Sequence, residues 1–152
     1  MSLEIAWKFC AFDELSLHEL YALLQLRTEV FVMEQNCVFQ DMDGTDAQAM
    51  HLLGYASGQL AAYARCFPAG VKFQEASIGR VITRQTVRGT GAGHVLMREA
   101  ITLLTQHWGA QPIRIGAQAR LEKFYQQHGF KTDGAPYIED GIPHLEMLRT
   151  VS

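Results

Sequence analysis

Runs of apolar residues with different spacings divide this chain into strands and helices. The mixed run from Glu4 to Phe12 predicts a first strand. Ser16-x-x-Glu19 forms a capping box, and Leu17, Leu20, Leu24 and Phe31 mark the buried face of the helix it starts. Residues 35 to 50 are polar and acidic, which predicts a loop or a short helix. His51 to Ala56 and Gln59 to Phe67 are apolar runs joined by Ser57-Gly58, a two-residue hairpin turn. Pro68-Ala69-Gly70 then turns the chain toward a long strand, Ala76 to Thr83. A helix from Ala92 to about His107 follows, then a short strand from Gln111 to Ala117. Arg120 to His128 predicts a further helix, with Leu121, Phe124, Tyr125 and His128 at i, i+3, i+4 and i+7. Gly129 closes it, Phe130 returns to the core, and a last strand runs from about His144 to Arg149. Strands followed by a strand–helix–strand crossover give an α/β fold with a mixed sheet flanked by helices.

Composition narrows the class. At 152 residues and 48% hydrophobic, residues 1–152 suffice for one domain with its own core. The net charge of −3 and the lack of a basic run argue against a nucleic-acid partner. No apolar stretch approaches the length of a membrane span, and no signal-peptide pattern opens the chain, so a cytoplasmic location without membrane attachment is expected. Cys10, Cys37 and Cys66 form no close pair and leave one over in any disulfide scheme, in keeping with a reducing compartment. The histidines are scattered and no paired-cysteine spacing exists, so no metal site is expected.

The densest chemical signal is Arg88-Gly89-Thr90-Gly91-Ala92-Gly93, set between a predicted strand and a predicted helix. Glycines there leave backbone N–H groups unshielded, the helix dipole adds partial positive charge, and Arg88 adds a formal one. A diphosphate fits such a place. No Gly-Lys pair exists for a P-loop, and the third glycine comes one residue too early for a dinucleotide fingerprint.

The Arg-x-x-Gly-x-Gly pattern resembles the acyl-coenzyme A loop of the GNAT superfamily of N-acetyltransferases. Phe124-Tyr125-x-x-x-Gly129-Phe130 resembles a second hallmark of that superfamily. The segments Leu26 to Gln35, Gln40 to Asp46, His51 to Gly54 and Glu139 to Met147 are similar to its ElaA-like branch. The resemblance implies a mixed, mostly antiparallel sheet of about six to seven strands with about four helices. It implies acetyl-coenzyme A as co-substrate, held by Arg88, Gly89, Thr90, Gly91, Ala92, Gly93 and His94 and by the main chain of Val81, Ile82 and Thr83. The acceptor it implies is an amine, on a small molecule or a peptide. Homodimerisation is left open.

The resemblance also makes Tyr125 the general acid for the departing thiolate. Glu75 lies at the distance before the loop where some GNAT enzymes place a catalytic glutamate. A lysine-type amine has a pKa of about 10.4, so roughly one molecule in a thousand is neutral at pH 7, and a base or water chain must take its proton. His144 and His51 are the other proton carriers, each weighed against a purely structural role. No Lys or Arg falls between Arg27 and Arg65, whereas Glu29, Glu34, Asp41, Asp43 and Asp46 do. That segment is either a negative wall that attracts a cationic acceptor or a solvated acidic loop. Arg27 either binds an acceptor carboxylate or pairs with Glu34 or an Asp. Two rivals remain: an acyltransferase using a longer acyl donor, and a non-catalytic acyl-coenzyme A-binding module.

Overall fold

The Ser16 capping box forms as expected: Ser16 Oγ accepts from Glu19 N at 3.0 Å, and Glu19 accepts from Ser16 N at 2.9 Å. It starts α1, Leu17–Arg27, which passes without a break into a π-helical segment, Thr28–Glu34. The computed structural model describes residues 4–151. Its strands are β1 (Ala6–Ala11), β2 (Met50–Ala56), β3 (Gln59–Phe67), β4 (Ala76–Thr83), β5 (Ile113–Gln118), β6 (Lys131–Thr132), β7 (Tyr137–Glu139) and β8 (Ile142–Arg149). The remaining helices are α2 (Ala92–Trp108) and α3 (Glu122–Gln126).

All eight strands join one sheet in the order β1-β2-β3-β4-β5-β8-β6, with β7 also paired to β8. Only β4 and β5 run parallel, because α2 is the crossover between them. The expected class is therefore present: α/β, mixed and mostly antiparallel. Among the described residues the sheet has eight strands where six to seven are expected, and there are three α-helices where about four are. β6 and β7 span two and three residues, too few to show an alternating pattern. The segment 35 to 50 holds only a single 3-10 turn, Asp46–Gln48.

The β2–β3 hairpin turns on Ser57 (φ 52°) and Gly58 (φ 77°), the paired left-handed geometry of a type I′ turn. Adjacent residues of a strand face opposite sides of the sheet, and two core layers result. Leu52, Ala62 and Ala64 pack with Leu96, Met97, Ala100 and Leu104 of α2 on one side. Leu53, Tyr63 and Ile82 pack with Leu23, Leu26, Val30 and Phe31 on the other.

The buried face of α1 is wider than expected: Leu20 and Leu24 pack against the core and Phe31 is in it, Leu17 is 85% exposed, and Leu23, Leu26 and Arg27 are the fully buried residues of the helix. The π-helical turn that follows carries the wider spacing needed to bring Phe31 to the core.

Arg27 is fully buried, and its guanidinium is bound by acids from the following loop. Nε donates to Asp41 Oδ2 at 2.7 Å and Nη1 to Asp46 Oδ1 at 2.6 Å. Arg65 donates to Asp46 Oδ1 at 2.9 Å and to Asp43 Oδ2 at 2.8 Å. Burial alone would raise the Asp43 and Asp46 pKa values, but these guanidinium partners hold Asp43 well below the usual aspartate range and lower Asp46 as well.

Two outcomes follow from this network. Arg27→Met takes the hydrogen-bonding guanidinium from Asp41, leaves Asp46 with Arg65 alone, and is expected to cost about 3–5 kcal/mol in urea-denaturation stability; a loss below about 1 kcal/mol would mean that water screens the pairs. Asp43 has a depressed folded pKa, so its contribution is full above the unfolded value of about 3.9 and disappears as pH falls through the folded value. The Tm gap between wild type and Asp43→Asn should therefore be constant near neutrality and close as pH drops below about 4. A gap that persists unchanged into that range would contradict the network.

Candidate active site

β4 and β5 pair through only two positions, Ala76 with Ile113 and Ser77 with Arg114, and then part. The cause lies on the other edge of β4. Its register with β3 runs Ser77–Phe67, Ile78–Cys66 and Gly79–Arg65, then resumes one residue later at Ile82–Tyr63. Arg80 and Val81 together oppose Ala64, which makes a β-bulge, and Arg80 takes φ 49°, a left-handed conformation rare for a long side chain. The bulge bends β4 away from β5. From Ile78 to Thr83, the backbone groups of β4 that face β5 have no strand partner.

The gap is a cleft of about 410 Å³. Val81, Ile82 and Thr83 form one wall, Gly116 the other, and Tyr125 and His144 also line it. Glu34 closes it from the π-helical segment.

Beyond Thr83, a 3-10 turn, Gln85–Val87, leads into the glycine loop. Gly89 has φ 83°, and Gly91, the N-cap of α2, has φ 84°. A Cβ built on either meets nothing within 4 Å, so the surface above the loop is bare. No side chain caps α2, and its first helical bond runs from Val95 N to Gly91 O at 3.2 Å. The N–H groups of Ala92, Gly93 and His94 therefore have no acceptor within the helix. Unshielded N–H groups at a helix N-terminus beside a strand edge with unspent backbone groups fit both the diphosphate and the amide-bearing arm of coenzyme A. Gly93 packs against Phe124 of α3, where a Cβ would make ordinary contact at 3.5 Å. Thr90 Oγ1 donates to Val87 O and tightens the turn.

Arg88 is not aimed at the loop. Its Nη1 lies 2.7 Å from Glu34 Oε1, and Nη2 and Nε donate to Thr83 O at 2.8 and 3.2 Å. It ties the loop to the end of β4 and to the π-helical segment. The expected formal charge beside a diphosphate is thus spent on Glu34 in this conformation. His94, on the first turn of α2, has Nδ1 2.9 Å from His128 Nε2 and its ring against Phe124.

Tyr125 is buried among α3 and core residues, and burial pushes its phenol up to about 12. Gly129 (φ 87°) closes α3, and Phe130 N bonds back to Tyr125 O at 3.2 Å, which fixes the start of the return strand beneath the tyrosine. His144 projects from β8. Its Nδ1 lies 2.7 Å from the Ile142 carbonyl, which can only accept, so Nδ1 carries the proton and Nε2 the lone pair in the neutral ring. That Nε2 lies 3.6 Å from Glu139 Oε2, and Tyr137 stacks on the ring.

Three expected site residues lie elsewhere. Glu75 precedes β4 at the end where β4 and β5 still pair, away from the cleft. Arg114 grips both its oxygens at 3.1 Å, and those hydrogen bonds hold its carboxyl below the usual range, which makes it a poor base. His51 is fully buried: Nε2 meets Asp46 O at 2.8 Å and Nδ1 meets the Tyr63 hydroxyl at 2.6 Å. A carbonyl needs a donor, so Nε2 carries the proton and Tyr63 donates to Nδ1; burial pushes the imidazole pKa down and keeps it neutral. Arg27 is sealed in its ion pairs, so the alternative left open by the sequence resolves to pairing with Asp41 and Asp46. The acidic segment is no uncompensated wall either, since Arg84 pairs with Glu29 at 2.9 Å and Arg88 with Glu34.

Among the lining residues that the sequence did not single out are Arg80, Gly116, Tyr137 and Glu139. The Asp140-Gly141 pair held a usable signal. Both residues have positive φ and turn β7 into β8, placing Tyr137 opposite His144. Arg80 carried none, because a bulge depends on register with another strand. Among the described residues, no cluster of three or more His, Cys, Asp or Glu is placed to hold a metal, and no helix is long and apolar enough to cross a membrane.

Comparison with known proteins agrees with this geometry. The family described as "Acetyltransferase (GNAT) domain" matches residues 18–151. Protein ElaA of Escherichia coli is 45% identical over 149 residues, 97% of each chain. Its crystal structure superposes with a TM-score of 0.90 at 44% identity, covering 96% of this chain and 99% of that one. A crystal structure described as an acyl-CoA N-acyltransferase from Pseudomonas aeruginosa gives 0.92 at 41% identity, covering 97% of this chain and 100% of the other. With the split sheet, the bare helix N-terminus and these relatives together, the chain belongs to the GNAT acetyltransferase domain family, among the ElaA-like proteins.

Proposed function

We propose that this protein moves an acetyl group from acetyl-coenzyme A to a primary amine, on a small molecule or a peptide, by direct attack with both substrates bound. The observation that carries the reading is the single cleft in which an unpaired strand edge, a buried tyrosine and a histidine with a free Nε2 lone pair meet. The loop from Gly89 to His94 holds the diphosphate, and the main chain of Val81, Ile82 and Thr83 hydrogen-bonds the extended arm as a strand would.

Acetyl-coenzyme A supplies an activated thioester carbonyl. His144 takes the proton from the amine at Nε2, and Glu139 steadies the imidazolium that results. The amine lone pair forms the new C–N bond, the C–S bond breaks, and Tyr125 gives its phenolic proton to the departing sulfur. In water a phenol is a weaker acid than a thiol, which would oppose that last step. Within a dry site the two converge, because burial raises both. Burial carries the Tyr125 phenol to about 12, and the same desolvation raises the proton affinity of a departing thiolate.

Isothermal titration should show saturable binding of acetyl-coenzyme A by the wild type and none by Gly91→Asp, which sets a carboxylate over the loop amides. Thiol release with an amine panel should fall roughly 10²-fold or more in kcat for Tyr125→Phe, with coenzyme A affinity changed by less than about threefold. Unchanged kcat in Tyr125→Phe would remove the tyrosine from the mechanism. Binding with no turnover of any amine would favour an acyl-coenzyme A-binding module.

A further inference from the structure

A second cavity, about 550 Å³, opens beside the cleft and shares Ile78, Gly79, Arg80, Gly116 and Glu139 with it. Its size suits a small polar metabolite. Arg80 stands at the junction, on the bulge that splits the sheet. Its guanidinium carbon lies 4.6 Å from the ring centre of Phe31 and 5.7 Å from that of Phe39, so aromatic rings fix its position.

Arg27, Arg65, Lys72 and Arg80 meet Asp41, Asp43 and Asp46 in one ion-pair network. Arg27 spends Nε and Nη1 on Asp41 and Asp46, Arg65 spends both Nη groups on Asp43 and Asp46, and Lys72 reaches Asp43 at 3.3 Å. Arg80 has only Asp41, which Arg27 already holds. Arg80 Nε lies 3.0 Å from Asp41 Oδ1 but out of hydrogen-bond alignment, and both atoms are buried without a hydrogen-bond partner. The buried Nε of Arg80 makes no hydrogen bond to the protein. Arg80 is the one arginine that lines both cavities among the described residues. Leaving a half-buried cation with unspent donors is costly unless a ligand completes it.

We propose that Arg80 binds a carboxylate of the acceptor, so that the amine acetylated here belongs to a molecule that also carries a carboxylate, as a free amino acid does. This assignment rests on the acetyl-transfer reading above. The planar fork of an arginine matches the two oxygens of a carboxylate. A phosphate dianion would add a second charge beside Asp41 and Asp43, whose carboxylates oppose it. At the other side of the junction, Glu139 and His144 provide a negative and basic edge for the ammonium end. A zwitterion thus meets a cation at one end and an anion at the other.

The test is isothermal titration of the full chain with N-acetylated amino acids, each beside its own carboxamide. The wild type should bind the acid form about tenfold or more tightly than the amide. That ratio should fall to about one in Arg80→Gln and in Arg80→Asn, the latter tolerating the left-handed backbone. Amides that bind the wild type as tightly as the acids, no binding by any acid, or a ratio that survives both substitutions would overturn the assignment. Titration with acetyl-coenzyme A separates the two readings. If the wild type binds it and acetylates amines without regard to a carboxylate, the transfer reading stands and the role of Arg80 falls. If the wild type does not bind it, the transfer reading falls, and the acid-to-amide ratio still decides whether Arg80 reads a carboxylate.

Discussion

A strand in the middle of a sheet cannot leave one edge bare without another source of hydrogen bonds. β4 does so from Ile78 onward, and everything at the site is arranged around that edge. The bulge at Arg80 and Val81 opens the gap. α2 then aims its uncapped N-terminus past the end of the same strand, since the crossover to a parallel neighbour must begin there. α3 and β8 bring Tyr125 and His144 to the opening. A ligand that offers donors and acceptors in an extended arm, with phosphates at one end, satisfies edge and helix terminus together.

The buried charge network holds the second wall in place. The chain from Phe39 to Asp46 has little regular structure of its own, and Arg27 and Arg65 pin it through Asp41, Asp43 and Asp46. Removing ions from water is unfavourable, so such a network is a poor source of stability relative to an apolar core, yet each member is costly to lose singly. What it gains here is position. It sets Phe39 and Asp41 beside Arg80, whose Nε is left without a hydrogen bond at the junction of the two cavities.

Much of the fold was legible because local chemistry decided it. Ser16-x-x-Glu19 starts its helix, Ser57-Gly58 turns its hairpin, and Gly129 ends α3, each through contacts within a few residues. The glycine loop was legible for the same reason. The width of the buried face of α1 was not, since its leucines fall on several sides and the π-helical continuation abandons the 3.6-residue repeat. The roles of Arg27 and His51 stayed open because their partners lie 14 to 19 and 5 to 12 residues away and declare themselves only in three dimensions. The absence of Lys and Arg between Arg27 and Arg65 was a real signal, but of internal pairing rather than of a negative wall. Glu75 failed on direction, since it lies at the end of β4 where the sheet is still closed. Arg80 was invisible because a bulge is a property of two strands in register.

The most direct test of the account is hydrogen–deuterium exchange of the full chain with and without acetyl-coenzyme A. Ligand in the gap predicts slowed exchange at the backbone amides of β4 from Gly79 to Thr83 and at the loop from Gly89 to His94, with β1 and β2 unchanged. Saturating ligand that leaves both segments exchanging as before, or that protects a different surface, would contradict the claim that the bare edge of β4 is the acyl-coenzyme A site.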